Sequence, residues 1–384
     1  MSQTKAQLVS GSAAQDLTVD NINTSSVNST QISGRKNVII NGAMQVNQRA
    51  SSYAWASGGT LSGYTLDRFR FDLFPFGGTS ATATVTQSTT APDGFAKSLK
   101  VDVTATDTSL VGNNYSQISY QAERQDIRHF AYGTSAAKSI TLSFYVRSNK
   151  TGNYNVNILQ YGSSTRLASF TYAISSADTW ERKTITIAGD TGGNVVDGNT
   201  AGLNINFGLA YGGNYTTGSN QNSFGSYVAA NSGVGQDVNL YDSTSNEWYI
   251  TGIQLEVGST ATDFEHRSFG EELYLCERYC QVLIAGLQYY GTCMLYTGSV
   301  HTVASLWKRE MRATPSIVAN SGTNYYITYR NGGNAQYNAL DGSLSTASKR
   351  GGGVFTTGGT GTGGHAGAIA GYNSNTLVYI EAEL

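Results

Sequence analysis

The chain has 384 residues, with 24 Lys and Arg against 26 Asp and Glu, a net charge of −2, and only 13% charged residues. That balance argues against a nucleic-acid binder, which shows a basic stripe, and 25 tyrosines with 13 phenylalanines are too many for a disordered chain. No apolar run reaches the ~18 residues that a membrane helix needs. The length suits two or three domains, and 45 glycines beside 3 prolines suit short strands joined by tight turns, so an all-β chain is expected.

In chain order, the first residues, MSQTKAQLVSGS, lack the basic and apolar regions of a secretory signal. The protein is therefore expected to be made in a cytoplasm and to leave it by lysis or assembly. Residues 1–35 carry few large apolar groups and cannot bury a core alone. They are expected to be ordered by identical partner chains or by a larger assembly. Residues 37–49, NVIINGAMQVNQR, alternate at Val38 and Ile40, turn at Asn41-Gly42 and resume at Met44 and Val46. Asp67 and Arg68, in the run YTLDRF over 64–69, read as a local charge pair bracing the start of a strand.

Alternating runs follow at 69–74, 81–87, 97–104, 115–123, 139–147, 153–160, 167–173, 182–188, 203–211 and 248–257, most of them separated by Gly, Asn, Ser or Thr loops. This spacing predicts a jelly-roll β-sandwich over 36–268. In the last run Trp248, Ile250, Ile253, Leu255 and Val257 would point inward, with Gly252 as a bulge that shifts the phase. Ser268 before Glu271 and Glu272 reads as a helix cap, and apolar spacing predicts a linking helix over 269–287. Residues 288–384 are expected to form a smaller β domain with strands at 288–296, 300–307, 316–318, 325–329 and 377–382.

Five stretches carry a resemblance: NVIINGAMQVNQR at 37–49, YTLDRF at 64–69, TGIQLEVG with ATDFEHRSFGEEL at 251–273, MRATPS at 311–316 and IEAEL at 380–384. Together they resemble tail-fibre and related virion proteins of tailed phages, marine phages above all, that carry a β-sandwich similar to carbohydrate-binding modules. The resemblance covers about 36–267 and implies a homotrimer, an N-terminal segment that attaches to other tail or virion proteins, and a place on the virion exterior. It implies adsorption to a host-surface glycan or protein, multiplied by avidity. The rivals are a capsid or tail decoration protein and a tailspike that degrades surface polysaccharide.

The loop 211–247 is polar and rich in aromatics, so Tyr211, Tyr215, Phe224, Tyr227 and Tyr241 are the candidate contacts with a receptor or partner. Chemistry is harder to find. His129, His266, His301 and His365 stand in no metal-ligand spacing, and His266 reads as a hydrogen-bonded hinge residue. Cys276 and Cys280, four apart on the expected helix, read as structural thiols. Asp237, Asp242, Glu247, Glu256 and Glu265 could in principle supply paired carboxylates, while Asp190, Asp197 and Asp237 give a weak calcium pattern. Gly359, Gly361 and Gly364 lack the strand–helix frame of a nucleotide loop. The expectation is a protein that binds without catalysis, with no cofactor, no nucleic acid and no membrane insertion.

Overall fold

The computed structural model describes residues 26–27, 30–31, 35–50, 52–55, 61–74, 81–345, 347–356 and 358–384. The expected attachment segment 1–35 therefore lies outside the described residues, apart from Arg35 and a ladder of β1 (Ser26–Val27) with β2 (Thr30–Gln31). The sandwich is built from β3 (Ser52–Trp55), β4 (Leu61–Tyr64), β5 (Phe69–Phe74), β6 (Thr82–Ser88), β7 (Ser98–Ala105), β8 (Tyr115–Glu123) and β9 (Ile140–Ser148). It continues with β10 (Gly152–Tyr161), β11 (Thr165–Ile174), β12 (Glu181–Ile187), β13 (Ala201–Tyr211), β14 (Gly225–Ser226) and β15 (Glu247–Val257).

Their pairing is a jelly roll. One sheet runs β12-β9-β15-β7-β6-β3 and the other β14-β11-β10-β13-β8-β5-β4. The central quartets, β7-β15-β9-β12 and β8-β13-β10-β11, follow the two-Greek-key order of eight strands, and the outer strands extend both sheets. The period-2 alternation explains the core: Ile140, Leu142, Phe144 and Val146 face Leu203, Ile205, Phe207 and Leu209, all fully or almost fully buried. Burying one such side chain stabilises the fold by about 1.5–3 kcal/mol.

β15 behaves as its sequence predicts. Trp248, Ile250, Ile253 and Leu255 are buried, and Val257 packs partly buried on the same core. Gly252 has φ of 62° where the register with β9 slips between Thr251 and Gln254. The 37–42 segment lies along β15 through Val38 N–H to Leu255 O (3.0 Å) and Ile253 N–H to Gly42 O (3.0 Å) without forming a regular strand. Its phase also differs from the expected one. Ile39 joins the sandwich core with Met44, whereas Ile40 and Val46 pack against the helix.

Ser268 caps the helix Phe269–Cys276 with a complete capping box through Glu271. The helix ends there, however, and the expected continuation to 287 is instead β16 (Cys280–Ala285). Helical spacing at Leu283 gave way because the segment pairs with the last strand, from Cys280 opposite Glu381 to Ala285 opposite Leu377. Tertiary pairing overrode a local pattern. Cys276 and Cys280 thus sit on different elements, both buried and reduced, and burial pushes both thiols well above the ordinary range.

The C-terminal strands are β17 (Tyr289–Leu295), β18 (His301–Leu306), β19 (Ser316–Ala319), β20 (Tyr326–Arg330), β21 (Ala335–Tyr337), β22 (Leu340–Ser345), β23 (Gly351–Thr356), β24 (Ala366–Gly371) and β25 (Leu377–Glu381). β16-β25-β19 form one sheet, and β21-β20-β24-β17-β18-β23-β22 form the other. Trp307, Ile317, Tyr326, Tyr337, Val354 and Ile380 fill the space between them. β21 to β24 went unread in sequence. The last two, GGGVFT and AGAIAG, are glycine- and alanine-rich with too few large apolar side chains to show alternation.

Candidate functional site

The outer face of the seven-stranded sandwich sheet carries amides and hydroxyls where its inner face carries the core. Outward positions are Arg70 and Asp72 on β5, Gln117 and Ser119 on β8, Asn204 and Asn206 on β13, and Asn157 and Tyr161 on β10. The register sets them side by side: Asp72 opposite Gln117, Ser119 opposite Asn206, and Asn206 opposite Asn157. They bond laterally. Gln117 Nε2 donates to Asp72 Oδ2 and to Asn206 Oδ1 (each 3.2 Å), and Asn206 Nδ2 donates to Asn157 Oδ1 (2.9 Å).

The buried Asp72 carboxylate is fully engaged. Besides Gln117 it accepts from Ser62 Oγ (2.5 Å), Ser119 Oγ (3.2 Å) and Arg70 Nη2 (3.1 Å). Burial disfavours the charge of Arg70, but Asp72 beside it more than offsets that and raises the guanidinium pKa.

The loop after β13 folds over this face and shapes a hollow of about 230 Å³ lined by Arg70, Tyr115, Gln117, Asn157, Tyr161, Asn204, Asn206, Tyr211, Tyr215 and Tyr227, among others. Tyr211 is buried at its floor, accepting from Asn157 Nδ2 (3.1 Å) and donating to Gln117 Oε1 (2.9 Å). Asn157 Nδ2 also holds the loop down at Ser232 O (3.0 Å). At one end Tyr115 stacks on Phe74 (4.5 Å between ring centroids) and meets Tyr215 edge-on (5.3 Å). Tyr227, 44% exposed, stands open to solvent. Burial raises the phenol pKa of Tyr115, Tyr161, Tyr211 and Tyr215, so these groups stay neutral donors at ordinary pH.

One polar atom of the hollow has no protein partner. Asn204 is only 4% exposed, and its Oδ1 is buried and accepts no hydrogen bond among the described residues. An orphaned buried acceptor costs about 1–3 kcal/mol.

Of the five aromatic positions expected from the loop, Tyr211, Tyr215 and Tyr227 meet at this hollow. Phe224 and Tyr241 do not: Phe224 packs edge-on against Tyr132 (5.5 Å), and Tyr241 is buried with its hydroxyl 2.7 Å from Ser116 Oγ. Apolar area won both for the core. Arg70, Tyr115, Asn157, Tyr161, Asn204 and Asn206 were missed in sequence, although a signal existed. Amides recur at alternate positions of β10 and β13, where a solvent-facing strand more often carries charge.

The other flagged residues have structural partners. Asp67 pairs with Arg49 (3.6 Å) and Arg68 with Glu383, in place of the expected pair with each other. His266 packs against Phe264 and Phe95. Asp190 accepts from Arg166 (2.5 Å), Asp197 from Arg128 (2.7 Å), Asp237 from Asn153 and Asp242 from Lys150. Glu247 pairs with Lys100 (2.6 Å), Glu256 accepts from Thr262, and Glu265 accepts from the backbone of Lys36 and Asn37. Among the described residues no three His, Cys, Asp or Glu side chains group to hold a metal, and no helix is long and apolar enough to cross a membrane.

No family model matches the chain, and no curated protein matches it in sequence. Among solved structures it is similar to the enzymatically active domain of tailspike protein 4 from bacteriophage CBA120, at 11% identity and a TM-score of 0.30. That match covers 58% of this chain and spans only 21% of the tailspike chain. It is also similar to a family 4 carbohydrate-binding module (14% identity, TM-score 0.28, 56% of this chain and 97% of that one). A third is the family 11 module from Clostridium thermocellum in complex with a β-1,3-1,4-mixed-linked tetrasaccharide (11% identity, TM-score 0.25, 55% and 99%). At such scores none of these likenesses carries an argument about function.

Proposed function

We propose that the hollow on the outer sheet face binds one or two sugar units of a cell-surface glycan, and that the chain does so without catalysis. The observation that carries the reading is the pairing of tyrosine rings with a row of fixed amides, Asn157, Asn204 and Asn206, in one hollow. A pyranose is amphipathic in the same way, with C–H faces that pack on phenol rings and hydroxyls that pair with amides. At about 230 Å³ the hollow lies below the ~300–1,000 Å³ of drug-sized pockets, which suits a short stretch of sugar. No carboxylate lines it, whereas glycoside hydrolysis uses two.

In this proposal the chain is a subunit of a tailed-phage tail fibre on the virion exterior, homotrimeric and joined to other virion proteins through residues 1–35. Several weak sites per particle would then add up to firm adsorption. The test is a glycan array followed by calorimetry on the best binders, with Tyr227→Ala in parallel. Binding that weakens in the variant is the expected result. Release of reducing ends from a bound polysaccharide would replace the reading with a depolymerase, and silence across glycans with firm attachment to particles would replace it with a decoration protein.

A further inference from the structure

Among the described residues one ionised side chain lines the sandwich hollow, that of Arg70. Asp72 takes one edge of its guanidinium, with Oδ1 2.9 Å from Nε and Oδ2 3.1 Å from Nη2. Nε is buried there, yet the side chain as a whole is 29% exposed. The other edge, formed by Nη1 and the second N–H of Nη2, donates to no described residue. A guanidinium presents its five N–H groups as planar forks, each matched to the two oxygens of a carboxylate. One fork of Arg70 is filled and one is open.

The amides nearby leave that fork as the strongest donor in the hollow. Gln117 Nε2 uses its two N–H groups on Asp72 and Asn206, and Asn157 Nδ2 uses its two on Tyr211 and Ser232 O. Asp72 is fully buried, and Ser62, Ser119 and Gln117 spread its charge through neutral hydrogen bonds. Register sets Arg70 opposite Ser119, two residues further from Phe74 and Tyr115 than Asp72 is. The field follows this order. Burial is the main cause that raises the phenol pKa of Tyr161 and of Tyr115, but among the charges Arg70 outweighs Asp72 at Tyr161, and Asp72 outweighs Arg70 at Tyr115. The positive end of the pair therefore faces the Tyr161 side of the hollow.

Resting on the glycan reading above, we propose that the hollow takes an acidic sugar, a unit whose carboxylate lies on the open fork of Arg70. The ring of that unit packs on the tyrosines, and the two carboxylate oxygens accept from Nη1 and Nη2. A charge-assisted bond is roughly twice as strong as a neutral one, and the two-pronged form adds geometric selectivity. A neutral sugar offers the same fork a hydroxyl, which carries no charge and matches one N–H at a time.

The test is calorimetry on the full chain with three sets of oligosaccharides: uronic-acid oligomers, the same oligomers with each carboxyl reduced to a primary alcohol, and sulfated oligomers of the neutral sugar. A uronate is expected to bind about tenfold more tightly than its reduced form. Arg70→Gln is expected to erase that difference, and Arg70→Lys, which keeps the charge and loses the fork, to retain only part of it. Both variants weaken the support of buried Asp72, so melting curves accompany them. Should neither fold, the uronate and its reduced form compared on the wild type decide alone. Equal affinity for the two forms would overturn the proposal and leave the glycan reading standing. So would an acid preference that Arg70→Gln does not change, or binding of the sulfated oligomers alone. Silence on every oligomer would overturn both.

Discussion

Arg49 and Glu383 lie 334 positions apart in sequence and form an ion pair at 2.8 Å, with side chains only 1% and 4% exposed. Around them Arg49 also reaches Glu381 (3.2 Å), Arg68 pairs with the same Glu383, and the Arg68 guanidinium lies 3.5 Å from the centre of the Tyr279 ring. The opening of the sandwich, the turn after the helix and the last strand are thereby locked together. Removing Glu383 takes the carboxylate from buried Arg68 and one of three from Arg49, which keeps Asp67 and Glu381; breaking such a buried group costs about 3–5 kcal/mol. Glu383→Ala is expected to lower stability by that amount in denaturant titration, and Arg49→Ala to behave alike.

The same carboxyl makes stability fall in acid. Burial opposes its ionisation, but Arg68 and Arg49 outweigh burial and hold its pKa below the ordinary 4.5. A carboxyl depressed in the folded state stabilises fully above its unfolded pKa, and that contribution is lost as pH falls through the folded value. Burial pushes Asp67, in the same cluster, the opposite way, so total stability mixes the two. The comparison that isolates Glu383 is wild type against Glu383→Gln. Their difference in unfolding free energy should be constant from pH 6 to 8 and shrink below about pH 4.5.

Binding and folding should separate cleanly at the hollow. Tyr227→Ala removes an exposed ring face and is expected to weaken glycan binding several-fold, with stability changed by no more than ~0.5 kcal/mol. Asn204→Ala removes one amide from the row that lines the hollow, so it should also lower affinity, by a factor of about 2–10. Tyr241→Phe is the control. It loses the Ser116 contact inside the core, which costs about 0.5–1.5 kcal/mol of stability, and it should leave calorimetric affinity unchanged.

Gly252 tests the bulge in β15. An added Cβ would sit 2.7 Å from Phe95 and 2.9 Å from Tyr145 on a backbone of φ 62°. Both strain and crowding oppose it. Gly252→Ala is therefore expected to lower the melting temperature by several degrees, consistent with a loss of about 1–3 kcal/mol in a large domain. An unchanged melting curve would show that the bulge can relax.

Much of the sandwich was legible because strand alternation is local. Ile140, Leu142, Phe144 and Val146 declare a buried face by themselves, and the boundaries of β5 and β8 match the structure at both ends. The Ser268 capping box and the Gly252 bulge were equally readable, each being fixed by residues within a few positions of one another. β23 and β24 escaped notice because Gly and Ala carry no alternation, and Cys280–Ala285 read as helix because its strand partner, Leu377–Glu381, is almost a hundred residues away.

The site divides in the same way. Sequence by itself determined an all-β chain with alternating strands, an aromatic loop after Tyr211 and a capped helix at Ser268, because backbone propensity, side-chain period and capping act over a few residues. Tertiary structure alone decided that Asn157, Asn204 and Asn206 line up beneath that loop, that Phe224 and Tyr241 turn inward while Tyr227 stays out, and that Arg49 meets Glu383. The register between strands distant in sequence, and the competition of side chains for one buried volume, are settled only when the sheets pack.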